Sequence, residues 1–233
     1  MPELPGPLPP GERTMGQLVA ETIRLYGQTF WRALPLGVVP ALADQLSIHQ
    51  TIVLQMAVYW ALTPLFVAAY VWACRLVHDA PITRVAVAVA VLVYLPFPAL
   101  RALFVLPAIA WFALIGLSVP AAMVERLRFR EALVRGRELG VADYTHALGS
   151  LAALVVVVGV SANVLSALLH TQGSNGQRVA LFLSDLVLGP LLFLGGALLY
   201  SDQAARGVGS RRADLHSALD ADAAGRPDPQ VEP

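Results

Sequence analysis

Five of the sixteen arginines fall between Arg126 and Arg137, in the stretch VERLRFREALVRGRELG, directly behind the apolar run that ends at Val124. A guanidinium presents a planar fork of donors that matches phosphate and carboxylate oxygens. Arg126, Arg128, Arg130, Arg135 and Arg137 are therefore candidate contacts for lipid headgroups. Near an anionic leaflet each adds about 1 kcal/mol of surface attraction, less what Glu125, Glu131 and Glu138 cancel. Glu131 and Arg135 stand four apart, the spacing of a helical ion pair. Asp143 and His146 are spaced to share a helix face, but no further ligand is near, so they read as a capping carboxylate and an interfacial imidazole rather than a metal site. A second group is Asp44, Asn163, Arg178 and Asp185, polar residues inside or at the ends of apolar runs. A charge at mid-span costs roughly 2.5–3.5 kcal/mol on insertion scales, so such groups face protein or water. They are expected at one depth, together with Gln45, His170 and Arg101, as a polar cluster in the outer half of a bundle. None of the glycine-rich, serine-elbow or paired-histidine motifs of enzymes occurs. No catalytic residue, metal ligand or cofactor is expected, and the chain reads as a non-enzyme.

The elements that must carry these residues are apolar helices. Of 233 residues 57% are hydrophobic and 14% charged, the mean hydropathy is +0.64, and the net charge is zero. Soluble domains carry about 25% charged residues, so the composition predicts an all-α integral membrane bundle. Lysine is absent, which fits a GC-rich bacterial genome, and nothing points to nucleic acid. Cys74 stands alone and reads as packing. Residues 1–13 form a proline-rich tail with no basic group before Arg13, unlike a signal peptide. Residues 14–30 read as an interfacial amphipathic helix, with Thr14 and Gln17 as a capping box. Residues 31–206 read as a six-span membrane domain with crossings near 31–48, 51–77, 83–95, 102–124, 144–169 and 179–202. The turn between the third and fourth spans is placed at PFPALR, 96–101, because of its two prolines. HTQGSNGQR, 170–178, is the last hairpin, and 207–233 is a disordered tail. The arginine-rich stretch becomes a short amphipathic elbow helix between spans four and five. In it Phe129, Ala132, Leu133, Gly136 and Leu139 face the membrane and Gly140 ends the helix.

This layout puts both termini on one side. Fourteen arginines then lie on that side and two, Arg101 and Arg178, on the other. The positive-inside rule makes the first side cytoplasmic, with the bacterial inner membrane as the location.

Pro120 and Glu125, then Ala132–Leu133, Arg135 and Leu139, and finally Tyr200, Asp202 and Arg206 together resemble a known arrangement. It is that of the bacterial membrane domain that precedes the catalytic domain in some glycerophosphodiester phosphodiesterases and also occurs alone. That domain has an A-L-x-R-S-x-x-L helix and a terminal Y-x-D-L-R-x-R. Here Gly136 replaces the serine and Gln203–Ala204 replace Leu-Arg. The resemblance covers about 14–206 and implies the architecture, not the diesterase chemistry, which resides in a separate barrel. The resulting expectation is a scaffold that associates with membrane lipids, anionic ones included, or with a protein partner or a second copy. The alternative is a transporter or permease component for a small or amphipathic solute.

Overall fold

The computed structural model describes residues 9–169 and 173–224, and these are helices joined by short turns, with no strand. The expected tail segments 1–8 and 225–233, and 170–172 of the last hairpin, lie outside the described residues.

Helix α1 (Met15–Ala33) starts at the expected capping box: Thr14 N–H donates to Gln17 Oε1 at 2.7 Å, and Gln17 N–H donates to Thr14 Oγ1 at 3.4 Å. Its apolar face buries Leu18, Val19 and Tyr26. A single 3₁₀ turn (Leu34–Gly37) leads into α2 (Val38–Ser47), and α3 (Ile52–His78) follows. Next come α4 (Arg84–Tyr94), α5 (Phe97–Leu103), α6 (Val105–Ile115) and α7 (Ser118–Val124). The elbow is α8 (Phe129–Ala142), and α9 (Tyr144–Leu169) and α10 (Gly173–Ala224) complete the fold. Among the described residues five stretches are long and apolar enough to cross a membrane: Ile52–His78, Arg84–Leu103, Val105–Val124, Tyr144–Leu168 and Arg178–Val208.

The expected first span is not one of them, because prolines at 35 and 40 break it into the 3₁₀ turn and a ten-residue helix. Together they rise only about 23 Å. The expected turn at 96–101 is also displaced. Pro98 sits in the first turn of α5, where a missing N–H is harmless, so the prolines start a helix instead of ending one. The chain reverses at Phe104, which is fully extended (φ −178°, ψ 159°). Beyond 207, expected as a tail, the chain begins as a continuation of the last span. α10 continues to Ala224, since extending a helix through an alanine-rich run needs no new nucleus.

Two levels organise the bundle. At the elbow end lie the end of α3, the start of α4, α7, α8, the start of α9 and the exit of α10. His78 Nε2 reaches Ala197 O at 2.9 Å there, and Trp72 Nε1 donates to Arg32 O at 3.4 Å. At the far end lie the end of α2, the start of α3, the α5–α6 reversal and the start of α10. Gln45 Nε2 donates to Arg178 O at 2.8 Å there, and Trp60 Nε1 to Leu95 O at 3.0 Å. Segment 32–45 thus connects the same two levels as α3. Helix α1 packs across α9 and α10 and reaches α3.

Small residues let the backbones meet. A Cβ on Gly37 would sit 2.0 Å from the carbonyl oxygen of Leu186, which Pro190, four residues on, leaves without its helical donor. Pro120 likewise deprives the Gly116 carbonyl, and the buried Tyr70 hydroxyl donates to that oxygen at 3.1 Å. The Val119 N–H also reaches that oxygen, at 3.4 Å, so replacing Tyr70 by phenylalanine should lower stability by about 0.5–1.5 kcal/mol, the net worth of one hydrogen bond. Denaturation in mild detergent checks this, and an unchanged midpoint would show that the Val119 N–H alone satisfies the carbonyl.

Candidate functional site

At the far end the helices do not close. A cavity of about 290 Å³ lies between α2, α3, α4, α5, α6, α9 and α10. On α10 it runs from Asp185 to Phe193, and on α9 from Gly159 to Leu151. Eight residues of helix make each wall about 12 Å deep. Phe66, Tyr94, Phe97, Phe112 and Phe193 face into it, and the other walls are aliphatic apart from three charged residues, Asp44, Arg101 and Asp185. The rings form a connected cluster: Phe66 is 6.0 Å from Tyr94 and 6.3 Å from Phe193, and Tyr94 is 5.9 Å from Phe112. Ligand sites combine an apolar lining with a few placed polar groups in this way.

The expected outer cluster is assembled only in part. Asp44 accepts from Arg101 Nη2 at 3.0 Å and from the Tyr59 hydroxyl, and the Arg101 guanidinium lies 4.2 Å from the Tyr59 ring centroid. Asp185 joins them on the cavity wall. Arg178 contributes its backbone carbonyl to Gln45, while its side chain is exposed. Asn163 is not a member. It is exposed and donates to Gly159 O at 2.7 Å, four residues back on its own helix, so its amide is satisfied locally. Tyr59 is a rim residue that sequence reasoning missed. Its only signal was an aromatic in the first third of a span that also carries Pro64.

The elbow divides the five arginines. Arg126, Arg128, Arg130 and Arg137 are exposed. Arg135 is turned inward: its Nε lies 3.0 and 3.2 Å from the two Glu125 oxygens, and its Nη1 lies 3.7 Å from Glu138. Burial pulls the Arg135 guanidinium pKa down, but the hydrogen bond and charge of Glu125 outweigh it and the net direction is up. Arg135 is therefore a structural residue rather than a headgroup contact. Its expected pairing with Glu131 does not form, because Glu131 turns back to accept the Arg128 N–H at 2.9 Å and caps the helix start. The Tyr200 hydroxyl donates to Glu125 at 2.8 Å, so the elbow is tied to α10. Phe129 is exposed, whereas Ala132, Gly136, Leu139 and Gly140 are buried. Gly140 does not end the helix. A Cβ there would lie 2.7 Å from the carbonyls of Ala113 and Leu114, so it is a contact glycine on α6.

A second tie closes the elbow end. The fully buried Asp202 accepts Gly11 N–H at 2.9 Å and Arg206 Nε at 3.1 Å, and lies 2.8 Å from His146 Nε2. Arg206 also reaches Asp143 at 3.1 Å and donates to Arg13 O. Asp143 caps α9 as expected, accepting His146 N–H at 3.1 Å. His146 is not interfacial but 6% exposed. The segment 9–13 is likewise held rather than free: Gly11 adopts φ +95° against Ala205. Ser150 Oγ lies 3.5 Å from His146 Nε2. A hydrolytic triad places the carboxylate on the opposite imidazole nitrogen from the nucleophile. Here both groups face Nε2, so the three side chains tie helices together without that geometry. Among the described residues no group of three or more His, Cys, Asp or Glu side chains is placed to hold a metal ion.

Comparison with protein-family models, with curated proteins and with solved structures finds no match to this chain.

Proposed function

We propose that this chain is a multi-pass membrane protein that binds a hydrophobic or amphipathic molecule inside its helix bundle. The observation that carries the reading is the 290 Å³ aromatic-lined cavity with charge confined to one end. Leu194, Leu199, Leu117 and Met123, on the elbow side of the bundle, are no more than 1% exposed. That packing favours a binding site with a floor over a conduit. Segment 32–45 supports a sixth crossing, because it connects the levels that α3 connects. The arginine asymmetry supports the elbow end as the cytoplasmic face of a bacterial inner membrane, with both termini there.

Gly159 supplies the test. It lines the cavity, and a Cβ there meets no atom within 4 Å, so Gly159→Leu adds bulk at the cavity wall without forcing the fold. Native mass spectrometry of protein purified in nanodiscs should show a retained hydrophobic molecule that the variant loses. Identical spectra, or no retained molecule in either, would overturn the reading.

The elbow supports a second contact of lipid-associating character. Its four exposed arginines have no ion pair among the described residues. Replacing Arg126, Arg128, Arg130 and Arg137 by glutamine should sharply reduce co-purified anionic lipid, with about 1 kcal/mol of attraction lost per charge. Retention unchanged from the parent protein would sink the idea. Arg135 must be left in place, since it holds Glu125.

A further inference from the structure

Resting on the cavity as a binding site, we propose that its ligand is an amphiphile carrying a single positive charge, an alkylammonium or similar organic cation whose head meets Asp185 and whose apolar body fills the aromatic-lined interior. Three ionisable groups reach the cavity. Two of them satisfy each other: Arg101 donates to Asp44, whose carboxylate also accepts the Tyr59 hydroxyl, and the remaining guanidinium face stacks on Tyr59. Asp185 is half-buried and, among the described residues, makes no hydrogen bond and no ion pair. The rim therefore presents one carboxylate in excess.

An unpartnered carboxylate beside an apolar interior is costly, and a cation placed there removes the cost. The walls act in the same direction. Ring faces attract cations through their quadrupole, and five aromatic residues line the space. An anionic amphiphile such as a fatty acid would meet an excess carboxylate and a guanidinium already engaged. A neutral one would leave Asp185 unpaired. Charge complementarity thus separates three occupants that shape alone would admit.

The test uses the full chain in phosphatidylcholine nanodiscs with three probes of equal chain length: dodecylammonium, dodecanol and dodecanoate. Bound probe is counted by native mass spectrometry and checked by the shift in unfolding midpoint, with Gly159→Leu as the blocked control for partition into the surrounding lipid. Dodecylammonium is expected to bind the parent protein about tenfold or more tightly than dodecanol, a difference of about 1.4 kcal/mol, and dodecanoate more weakly still. Asp185→Asn should abolish that preference while leaving dodecanol binding unchanged, and the variant should fold because no hydrogen bond is lost. Equal binding of all three probes, blocked by Gly159→Leu, would overturn the cation assignment and leave the cavity reading standing. A dodecylammonium preference that survives Asp185→Asn would overturn the role of Asp185. Binding of no probe, or binding untouched by Gly159→Leu, would overturn both readings.

Discussion

Asp202→Ala is expected to lower stability by about 3–5 kcal/mol, the loss seen when one partner of a buried ion pair is removed. Against a total of about 5–15 kcal/mol for an ordinary domain, that is enough to reduce the folded yield in detergent sharply. The reason is topological as well as electrostatic. Asp202 is fully buried and gathers three elements far apart in sequence: the Gly11 N–H from the segment before α1, His146 from α9, and Arg206 one turn on in its own helix. Without the carboxylate the Gly11 N–H and the Arg206 guanidinium lose acceptors in a half-buried or buried setting, and Arg206 keeps only Asp143 and the Arg13 carbonyl. Asp202→Asn should cost less, since an amide oxygen still accepts from Gly11. A double-mutant cycle between Asp202 and His146 should show coupling of about 0.5–3 kcal/mol. The measurement is an unfolding titration followed by tryptophan fluorescence. An alanine variant within about 1 kcal/mol of the parent would show that hydrophobic packing alone holds the first segment to the bundle.

Five of the residues on which the expected resemblance rested meet in these ties. Glu125, Arg135 and Tyr200 form the elbow contact, and Asp202 and Arg206 the buried one. In this fold these residues pack and pair their charges at one end of the bundle.

What was legible in the sequence was whatever a local pattern encodes. The long apolar runs gave α3, the α6–α7 pair, α9 and the apolar part of α10 to within a few residues, because hydropathy is a sum over neighbours. The capping box at Thr14 was legible because both partners lie within one turn. Spacing also misled where partners at longer range compete. Glu131 stands four residues from Arg135, yet Glu125, ten residues away and beyond the helix start, takes the guanidinium, its two oxygens sharing the Nε–H. The polar cluster was inferred from depth alone. Depth does place Asp44 with Asp185, but it cannot tell a side chain facing the cavity from one, like Asn163, facing outward. The cavity itself had no signature, since it arises from seven helices failing to close. The prolines at 96 and 98 were read as a turn because proline ends helices, whereas a proline in the first turn is equally at ease and the reversal passed to Phe104.

Gly136→Ala tests how the elbow is seated, and its sign runs against propensity. In an exposed helix interior alanine is more favourable than glycine by roughly 0.5–1 kcal/mol. Gly27→Ala should show this gain, since a Cβ at that exposed position of α1 meets nothing within 4 Å. At Gly136 the same methyl would lie 2.0 Å from Ser118 Oγ, 2.4 Å from Ser118 N and 2.5 Å from Ser118 Cα. A serine hydroxyl can rotate away, but the backbone of α7 cannot move without disturbing Pro120 and the Gly116 carbonyl held by Tyr70. Gly140, one turn further, meets the backbone of α6 in the same manner, so α8 cannot escape by rolling. The expected cost is about 1–3 kcal/mol or more, the range for overpacked interiors, and greater for Gly136→Val. Displacement of α8 would also separate Arg135 from Glu125, so the variant should show faster proteolysis or hydrogen exchange at 125–140 as well as a lower unfolding midpoint. A neutral or stabilising Gly136→Ala would mean that the elbow rests loosely on the bundle. In that case the contact with Ser118 does not require glycine at 136, and the buried face of α8 would have to be assigned a different neighbour.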